Sequence, residues 1–172
     1  GVGFVYIKKG QRPIPFFLGG GQERGLRAGT VNVPSILGFS EIPALLEGHM
    51  VENFEKVDTL KKAMIEELSS IKELKINSKP DCTSPYILNI SLPGLRGEVM
   101  LHYLSDKGVY VSTGSACSSK DTRDSHVLQA IGVKEKEIKG SLRLSFCEEN
   151  TLEEITYAAG TIKEAVNFLR RK

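Results

Sequence analysis

Cys117 is the residue of this sequence whose surroundings most favour covalent chemistry. It lies in residues 111–119, Val-Ser-Thr-Gly-Ser-Ala-Cys-Ser-Ser, where every side chain after Val111 is small. The nucleophilic form of cysteine is the thiolate, and reactive cysteines lie partly exposed rather than in apolar cores. Positive charge from Lys120 or Arg123 would favour that thiolate. Because free cysteine is also among the most buried residue types, the residues alone leave both a reactive and a structural Cys117 open.

The other two cysteines of the chain carry no comparable signal. Cys82 lies in a predicted turn without an activating neighbour, and Cys147 follows a predicted strand, which favours a packing or surface role. The cysteines are far apart and form no C-x-x-C pair, so the sequence predicts neither a disulfide framework nor a metal site. His49, His102 and His126 show no spacing typical of a metal centre or a catalytic triad.

A glycine-rich stretch at residues 19–30, Gly-Gly-Gly-Gln-Glu-Arg-Gly-Leu-Arg-Ala-Gly-Thr, is the candidate anion site. Backbone N–H groups of such loops bind anions, and the hydroxyl of Thr30 can add a hydrogen bond to a phosphate. The stretch does not end in Gly-Lys-Ser/Thr, and no G-x-G-x-x-G opens a helix, so known nucleotide motifs are excluded. A solvated face with ordinary salt bridges from Glu23, Arg24 and Arg27 is the alternative.

Arg143 is the candidate carboxylate-binding residue. Residues 141–146 alternate strictly, with Leu142, Leu144 and Phe146 on one face of a strand and Arg143 on the other. A guanidinium group that faces a cleft can bind a carboxylate through two parallel hydrogen bonds. If that face meets water instead, Arg143 is an ordinary surface residue.

The elements that must position these residues follow from hydrophobic periodicity. Strands are predicted at residues 1–7, 86–92, 109–112 and 141–146. Helices are predicted at residues 35–42, 51–71, 97–107 and 126–131, and from Thr151 to the C-terminus. The first of these helices breaks at Pro43, and Thr151 forms a capping box with Glu154 at the start of the last one. In the helix at 51–71, the apolar residues face a core and the charged ones, Lys61 among them, face solvent. This order predicts an α+β domain from about residue 75 onward.

Composition places the chain among globular proteins, with 40% hydrophobic and 26% charged residues. A formal net charge of +2 gives no reason to expect nucleic acid or a membrane surface as partner. No stretch reaches the roughly 20 apolar residues of a membrane span, and no secretory segment is present, so we expect the cytoplasm. The apolar strand predicted at residues 1–7 needs neighbours on both sides, which indicates a piece of a longer protein.

Together, residues 19–30, Asn-Val-Pro at 32–34, residues 111–119 and residues 141–146 resemble the NifS/IscS-like cysteine desulfurases of the class V aminotransferase family. Gly-Ser-Ala-Cys-Ser-Ser resembles the branch with the longer cysteine loop. The resemblance implies a pyridoxal-phosphate enzyme of fold type I, of which this chain is the C-terminal small domain plus the last strand and loop of the large domain. It implies three parts: the end of the large domain (1–35), connecting helices (36–75) and the small α+β domain (76–172).

The same resemblance implies roles for three residues. Cys117 would attack the sulfur of L-cysteine and hold it as a persulfide, and Arg143 would bind the substrate carboxylate. Thr30 would reach the phosphate of pyridoxal phosphate in the neighbouring subunit, which implies a homodimer. The family converts L-cysteine to L-alanine and passes sulfur to acceptors such as an iron–sulfur scaffold protein or a tRNA-thiolation enzyme.

The chain departs from the family pattern at two places. The Ser-x-His-Lys-x-x-Gly-Pro-Lys segment, which supplies the Schiff-base lysine, is absent, and Lys8 and Lys9 lie after the strand and cannot replace it. Relatives carry a Gly-Arg type continuation where this chain has Cys147-Glu148-Glu149. We therefore expect the fragment alone to be inactive. A selenocysteine lyase, and a non-catalytic module that relays sulfur or docks a partner through Cys117, remain the alternatives.

Overall fold

In a computed structural model of the chain, residues 1–79, 82–113 and 125–171 are described. They form two units, Gly1–Met50 and Val51–Lys172. The domain boundaries near residues 35 and 75 that the resemblance implies stay a prediction.

The first unit contains short helices and loops but no strand among its residues. The prediction of a strand at residues 1–7 is wrong, because the segment is irregular. More than three-quarters of the surface is exposed in each of Phe4, Val5 and Tyr6. A strand is held by backbone hydrogen bonds to a neighbouring strand. No described residue of the chain forms one with this segment, so its apolar side chains alone do not make it a strand.

Helix α1 (Val33–Ser40) and helix α2 (Ile42–Leu46) follow in the first unit. Asn32 caps α1, because its side chain accepts a hydrogen bond of 3.3 Å from the backbone N–H of Ser35. A break between two helices is present, but it lies at Glu41 and not at Pro43 as predicted. Pro43 falls in the first turn of α2, where its missing N–H costs no hydrogen bond.

The second unit is built on an antiparallel sheet in the order β1-β2-β3. The strands are β1 (Lys75–Ile76), β2 (Ile87–Ser91) and β3 (Ser141–Ser145). In the register of β2 and β3, Leu88 lies opposite Leu144 and Asn89 opposite Arg143. The strand predicted at 109–112 is reduced to an isolated bridge between Ser112 and Arg143.

Three helices pack with the sheet around the apolar core, namely α3 (Met50–Leu68), α4 (Gly97–Asp106) and α7 (Leu152–Arg170). The short helices α5 (His126–Ala130) and α6 (Glu135–Ile138) follow α4 in the chain and contact each other. α4 contacts both α7 and β3. α3, α4, α7 and the two longer strands supply most of the side chains that are fully withdrawn from solvent, among them Val57, Met64, Leu68, Leu88, Ile90, Met100, Leu104, Leu142 and Ile162. The α+β fold is confirmed.

Lys61 of α3 was predicted to face solvent, and that prediction is wrong. It is only 4% exposed, and its Nζ donates to Oγ1 of Thr83 at 3.0 Å and to the carbonyl oxygen of Ser84 at 2.9 Å. Burial lowers the pKa of Lys61, while the charge of Asp58 opposes that shift. The amine is buried because its flexible stem reaches two acceptors in the loop before β2.

The capping box predicted at the start of α7 is confirmed. The hydroxyl of Thr151 accepts a hydrogen bond of 3.2 Å from the N–H of Glu154, and the Glu154 carboxylate accepts one of 3.1 Å from the N–H of Thr151. Two backbone donors of the helix end are thereby satisfied. Within the described ranges, no helix combines the length and the apolar character that a bilayer crossing requires.

Candidate functional site

Arg143 lies in the middle of β3 and points away from the core. Leu142 and Leu144 on either side of it are buried, whereas Arg143 and Ser145 are exposed. The alternation that the sequence predicted is therefore confirmed. Because successive side chains of a strand point to opposite faces, the burial of the two leucines fixes which face of the sheet carries the guanidinium group.

Ser112 is bonded to Arg143 through both backbone and side chain. The N–H of Ser112 donates to the carbonyl oxygen of Arg143 at 3.0 Å, and the N–H of Arg143 donates to the carbonyl oxygen of Ser112 at 2.7 Å. In addition, Nη2 of Arg143 donates to Oγ of Ser112 at 3.3 Å. Arg143 is thus tied to the segment that leads to Cys117.

No described neighbour of Arg143 compensates its charge. Asn89, which lies opposite it on β2, is uncharged, and its Oδ1 accepts a hydrogen bond of 2.7 Å from Asn77. Among residues 1–79, 82–113 and 125–171, no carboxylate forms a salt bridge with Arg143. A guanidinium group offers five N–H donors, so those not used by Ser112 remain available to an external carboxylate.

Thr113 is held against the start of α4 by a close approach that requires glycine. The N–H of Gly97 donates to the carbonyl oxygen of Lys139 at 2.8 Å. A Cβ atom at position 97 would lie 2.8 Å from the carbonyl oxygen of Ser141 and 3.2 Å from Cγ2 of Thr113. The missing side chain therefore lets α4 begin close to the backbone of Ser141 and to the side chain of Thr113.

Cys117 lies outside the described residues, since residues 114–124 are not among them. Its predicted role stays a prediction, and so does its placement relative to Arg143. Covalent geometry sets one limit. Cys117 follows Ser112 by five positions, and a fully extended chain of that length spans at most about 18 Å.

The glycine-rich segment is an irregular loop, as the sequence predicted. It contains a 3-10 turn over Gln22–Gly25, in which Glu23 and Arg24 have positive φ angles. Thr30 is exposed at the end of this loop, and no described residue forms a hydrogen bond with its hydroxyl. The guanidinium carbon of Arg27 lies 4.4 Å from the centre of the Phe17 ring. The phosphate-binding role of Thr30 stays a prediction.

Cys82 and Cys147 are free and exposed, as the sequence analysis expected of incidental cysteines. The backbone N–H of Cys147 donates to Oδ1 of Asn150 at 2.9 Å, and Nδ2 of Asn150 donates to the carboxylate of Glu154 at 3.0 Å. The hydrogen bond from Asn150, followed by that from the Thr151 backbone, lowers the pKa of Glu154. The departure at Cys147 thus lies in the turn that leads to the capping box of α7.

Two residues of this site were missed from the sequence as contributors. Ser112 was noted only as a small neighbour of Cys117, and Gly97 only as the start of a helix. The signal for Ser112 is its place at the end of an apolar segment, Val109 to Val111, beside the cysteine motif. Its pairing with Arg143 joins positions 31 residues apart and is not readable from local patterns. No group of three or more His, Cys, Asp or Glu in the described part of the chain could hold a metal ion.

Comparison with known proteins gives a consistent result. Residues 1–157 match the family described as aminotransferase class-V. The chain is 39% identical over 170 residues to a cysteine desulfurase IscS of Methanosarcina thermophila and 35% identical over 170 residues to a cysteine desulfurase IscS 1 of Archaeoglobus fulgidus. Each match covers 99% of this chain but only 42% and 44% of the relative, respectively. A solved structure of a NifS-like protein superposes with a TM-score of 0.82 at 34% identity, over 95% of this chain and 41% of the other.

Proposed function

The chain belongs to the aminotransferase class-V family, and from this premise we propose that it is part of a pyridoxal-phosphate-dependent cysteine desulfurase. Both relatives named above are cysteine desulfurases by name, and the likeness to them runs over nearly the whole chain. The chain spans less than half of their length. The activity proposed is therefore that of a longer protein, to which this chain contributes part of the site.

The pairing of Ser112 with Arg143 is the observation that carries the proposal. A cysteine desulfurase must bind the carboxylate of a free amino acid close to a nucleophilic thiol. Arg143 offers an exposed guanidinium group without a carboxylate partner in the described ranges, and the chain runs on from its neighbour Ser112 to Cys117. An uncompensated arginine beside the segment of a candidate thiolate fits an amino acid that carries both a carboxylate and a sulfur.

The chemistry proposed for Cys117 is the transfer of one sulfur atom. The thiolate of Cys117 attacks the sulfur of bound L-cysteine, and a sulfur–sulfur bond forms as the Cβ–S bond of the substrate breaks. The electron pair of the broken bond goes to the substrate carbon, which takes up a proton and leaves as L-alanine. Cys117 is left as a persulfide, ready to pass its outer sulfur to an acceptor.

The glycine-rich loop fits the phosphate of the proposed cofactor. It presents the exposed hydroxyl of Thr30 and the exposed guanidinium groups of Arg24 and Arg27, and phosphate oxygens accept hydrogen bonds from both types of donor. Thr30 would hold that phosphate. Pyridoxal phosphate, when bound, supplies the electron sink that makes the Cβ–S bond of the substrate labile.

The remaining parts of the active protein belong to the same proposal. The lysine that binds the cofactor covalently would come from outside these 172 residues, because the segment that carries it in the family has no counterpart here. The resemblance supports a homodimer in which Thr30 serves the neighbouring subunit. It also supports a cytoplasmic location and, as sulfur acceptor, an iron–sulfur scaffold protein or a tRNA-thiolation enzyme.

The proposal is tested with the full-length protein, pyridoxal phosphate and L-cysteine. We expect L-alanine to be released, and mass spectrometry to find one additional sulfur on the peptide that contains Cys117. A Cys117→Ser variant should lose the persulfide and reduce alanine release at least about 100-fold, because the hydroxyl is a far weaker nucleophile towards sulfur.

Two variants serve as matched controls. Cys82→Ser and Cys147→Ser remove the exposed thiols that we consider incidental, and both should keep alanine release within about twofold. Persulfide that persists in the Cys117→Ser variant, or its loss in either control, would contradict the role of Cys117. The 172-residue chain alone, tested in parallel, should bind pyridoxal phosphate poorly and release no alanine.

A further inference from the structure

We propose that Ser112 is a positioning residue that orients Arg143 towards the substrate carboxylate. This inference rests on the proposed desulfurase function and adds to it a residue that acts through another. The geometry that supports it is the joint hydrogen bonding of backbone and side chain between the two residues.

Arg143 needs an orienting partner. An arginine side chain rotates about several bonds, and fixing it costs conformational entropy at the moment a ligand binds. A group held in its binding geometry beforehand avoids that cost. The hydroxyl of Ser112, 3.3 Å from Nη2, is an uncharged acceptor that can hold one edge of the guanidinium group without neutralising it.

Among the described residues, the side-chain hydrogen bond of Arg143 goes to Ser112. Asn89 lies directly across the sheet, but its Oδ1 and the Oγ of Ser91 accept hydrogen bonds of 2.7 and 2.8 Å from Nδ2 of Asn77. These polar side chains of β2 are thus bonded to Asn77 and not to Arg143.

Ser112 is itself held in place by its neighbours. Both of its backbone hydrogen bonds go to Arg143, at 3.0 and 2.7 Å. The next residue, Thr113, packs where the absent side chain of Gly97 leaves room. A partner anchored on both sides can transmit its position to Arg143, whereas a loose one would follow the arginine instead.

The role proposed for Ser112 concerns substrate binding. The pairing of Ser112 with Arg143 joins strand β3 to the segment whose sequence continues towards Cys117. Loss of the Ser112 hydroxyl should weaken substrate binding but leave the transfer of sulfur from bound substrate largely intact.

The experiment measures steady-state kinetics of the full-length protein, loaded with pyridoxal phosphate, for Ser112→Ala, Ser112→Thr and Ser145→Ala. Removing this long, exposed hydrogen bond of 3.3 Å should raise KM for L-cysteine about three- to tenfold, as for an ordinary hydrogen bond, while kcat stays within about twofold. Ser112→Thr keeps the hydroxyl and should restore KM to within about twofold. Ser145→Ala removes an exposed hydroxyl from the same face of β3 and should change neither constant.

A double variant separates orientation of Arg143 from a general structural role. Arg143→Lys removes the guanidinium group that donates to Ser112. Adding Ser112→Ala to Arg143→Lys should therefore raise KM by less than a further factor of about two. Far-ultraviolet circular dichroism identifies any variant that fails to fold, and Ser112→Thr then supplies the comparison. We expect Ser112→Thr to keep a KM that an unfolded or locally distorted site would not allow.

The outcomes distinguish the inference from the function on which it rests. If the unsubstituted protein releases no alanine from L-cysteine, the proposed function fails and the inference fails with it. If it does release alanine but Ser112→Ala leaves KM unchanged, the inference alone is overturned. An equal effect of Ser112→Ala in the presence and absence of Arg143→Lys would also overturn it, because the hydroxyl would then act elsewhere.

Discussion

Both units of the chain contain helices with recognisable caps, but only the second unit packs its helices on a buried apolar core. In Gly1–Met50 no residue is buried, and large apolar side chains such as Ile14 and Leu18 are almost fully exposed. In the second unit, three helices and a sheet enclose a continuous apolar core. Helix caps and proline-initiated first turns form in the first unit without a core. Local sequence signals therefore determine where a helix begins, while burial determines how much free energy holds it.

A pair of leucines gives the largest expected difference between the units. In the 172-residue chain, Leu88→Ala should lower the free energy of unfolding by about 2–5 kcal/mol, because it removes a fully buried side chain and leaves a cavity. Leu18→Ala deletes the same atoms from an exposed site and should change it by less than about 0.5 kcal/mol. Urea denaturation followed by circular dichroism measures both.

A loss of more than about 1 kcal/mol in the free energy of unfolding of Leu18→Ala would contradict this comparison. Such a result would mean that the Leu18 side chain is buried against another group in solution. Repeating the measurement over a tenfold range of protein concentration would then show whether a second copy of the chain supplies that group.

Two helix caps give a smaller difference. Thr151→Ala removes the cap of α7 and should lower the free energy of unfolding by about 1 kcal/mol, because α7 is packed into the core. Asn32→Ala removes the corresponding cap of α1 and should leave the urea midpoint unchanged, while the amide of Ser35 loses its protection from hydrogen exchange.

Thr156→Ala is the matched control for Thr151→Ala. It makes the same replacement at an exposed interior position of α7, where alanine has the higher helix propensity, so no loss of stability is expected. A lowered midpoint in the Asn32→Ala variant would show that the two units unfold together.

The smallest expected effect comes from pH in the second unit. The pKa of Glu137 is lowered, chiefly by a hydrogen bond of 2.6 Å from Lys75. A carboxylate whose folded pKa lies below its unfolded value stabilises the fold above the unfolded pKa, about 4.3 for glutamate. This contribution is lost as the pH falls through the lowered folded value. The stability advantage of the unsubstituted chain over Glu137→Gln should therefore shrink below about pH 4.3, as measured by urea denaturation across pH.

Lys75→Met tests the cause of that pH dependence. It removes the partner that lowers the pKa of Glu137, so most of the difference between pH 7 and pH 3 attributable to Glu137 should disappear. A pH dependence that survives Lys75→Met unchanged would assign the shift to other groups around Glu137.

The sequence predicted those features that depend on neighbouring residues. The alternation in residues 141–146, the amphipathic helix that became α3 and the capping box at Thr151 are all confirmed. Each of these features follows from a pattern within one or two helical turns or within one strand, and here the packing of the second unit agrees with that local pattern. The class of fold follows from the order of such elements.

The features that the sequence did not predict depend on distant partners. Residues 1–7 have the composition of a strand but no neighbouring strand in the described ranges. Lys61 has the pattern of a surface lysine, but its amine is bonded to Thr83 and Ser84 in a loop about 22 residues away. The pairing of Ser112 with Arg143 spans 31 residues. Such contacts depend on how the helices, strands and loops pack together. The pattern of neighbouring residues in a single sequence does not specify that packing.

The alternation of β3 also bears on how this protein can change over evolutionary time. Inserting or deleting one residue in β3 would exchange its two faces, so that Arg143 would enter the core and its leucine neighbours would face water. Such a change would abolish folding before it could produce an altered binding site. We therefore expect length variation among descendants of this chain to be confined to its loops, and change at position 143 to proceed by substitution alone.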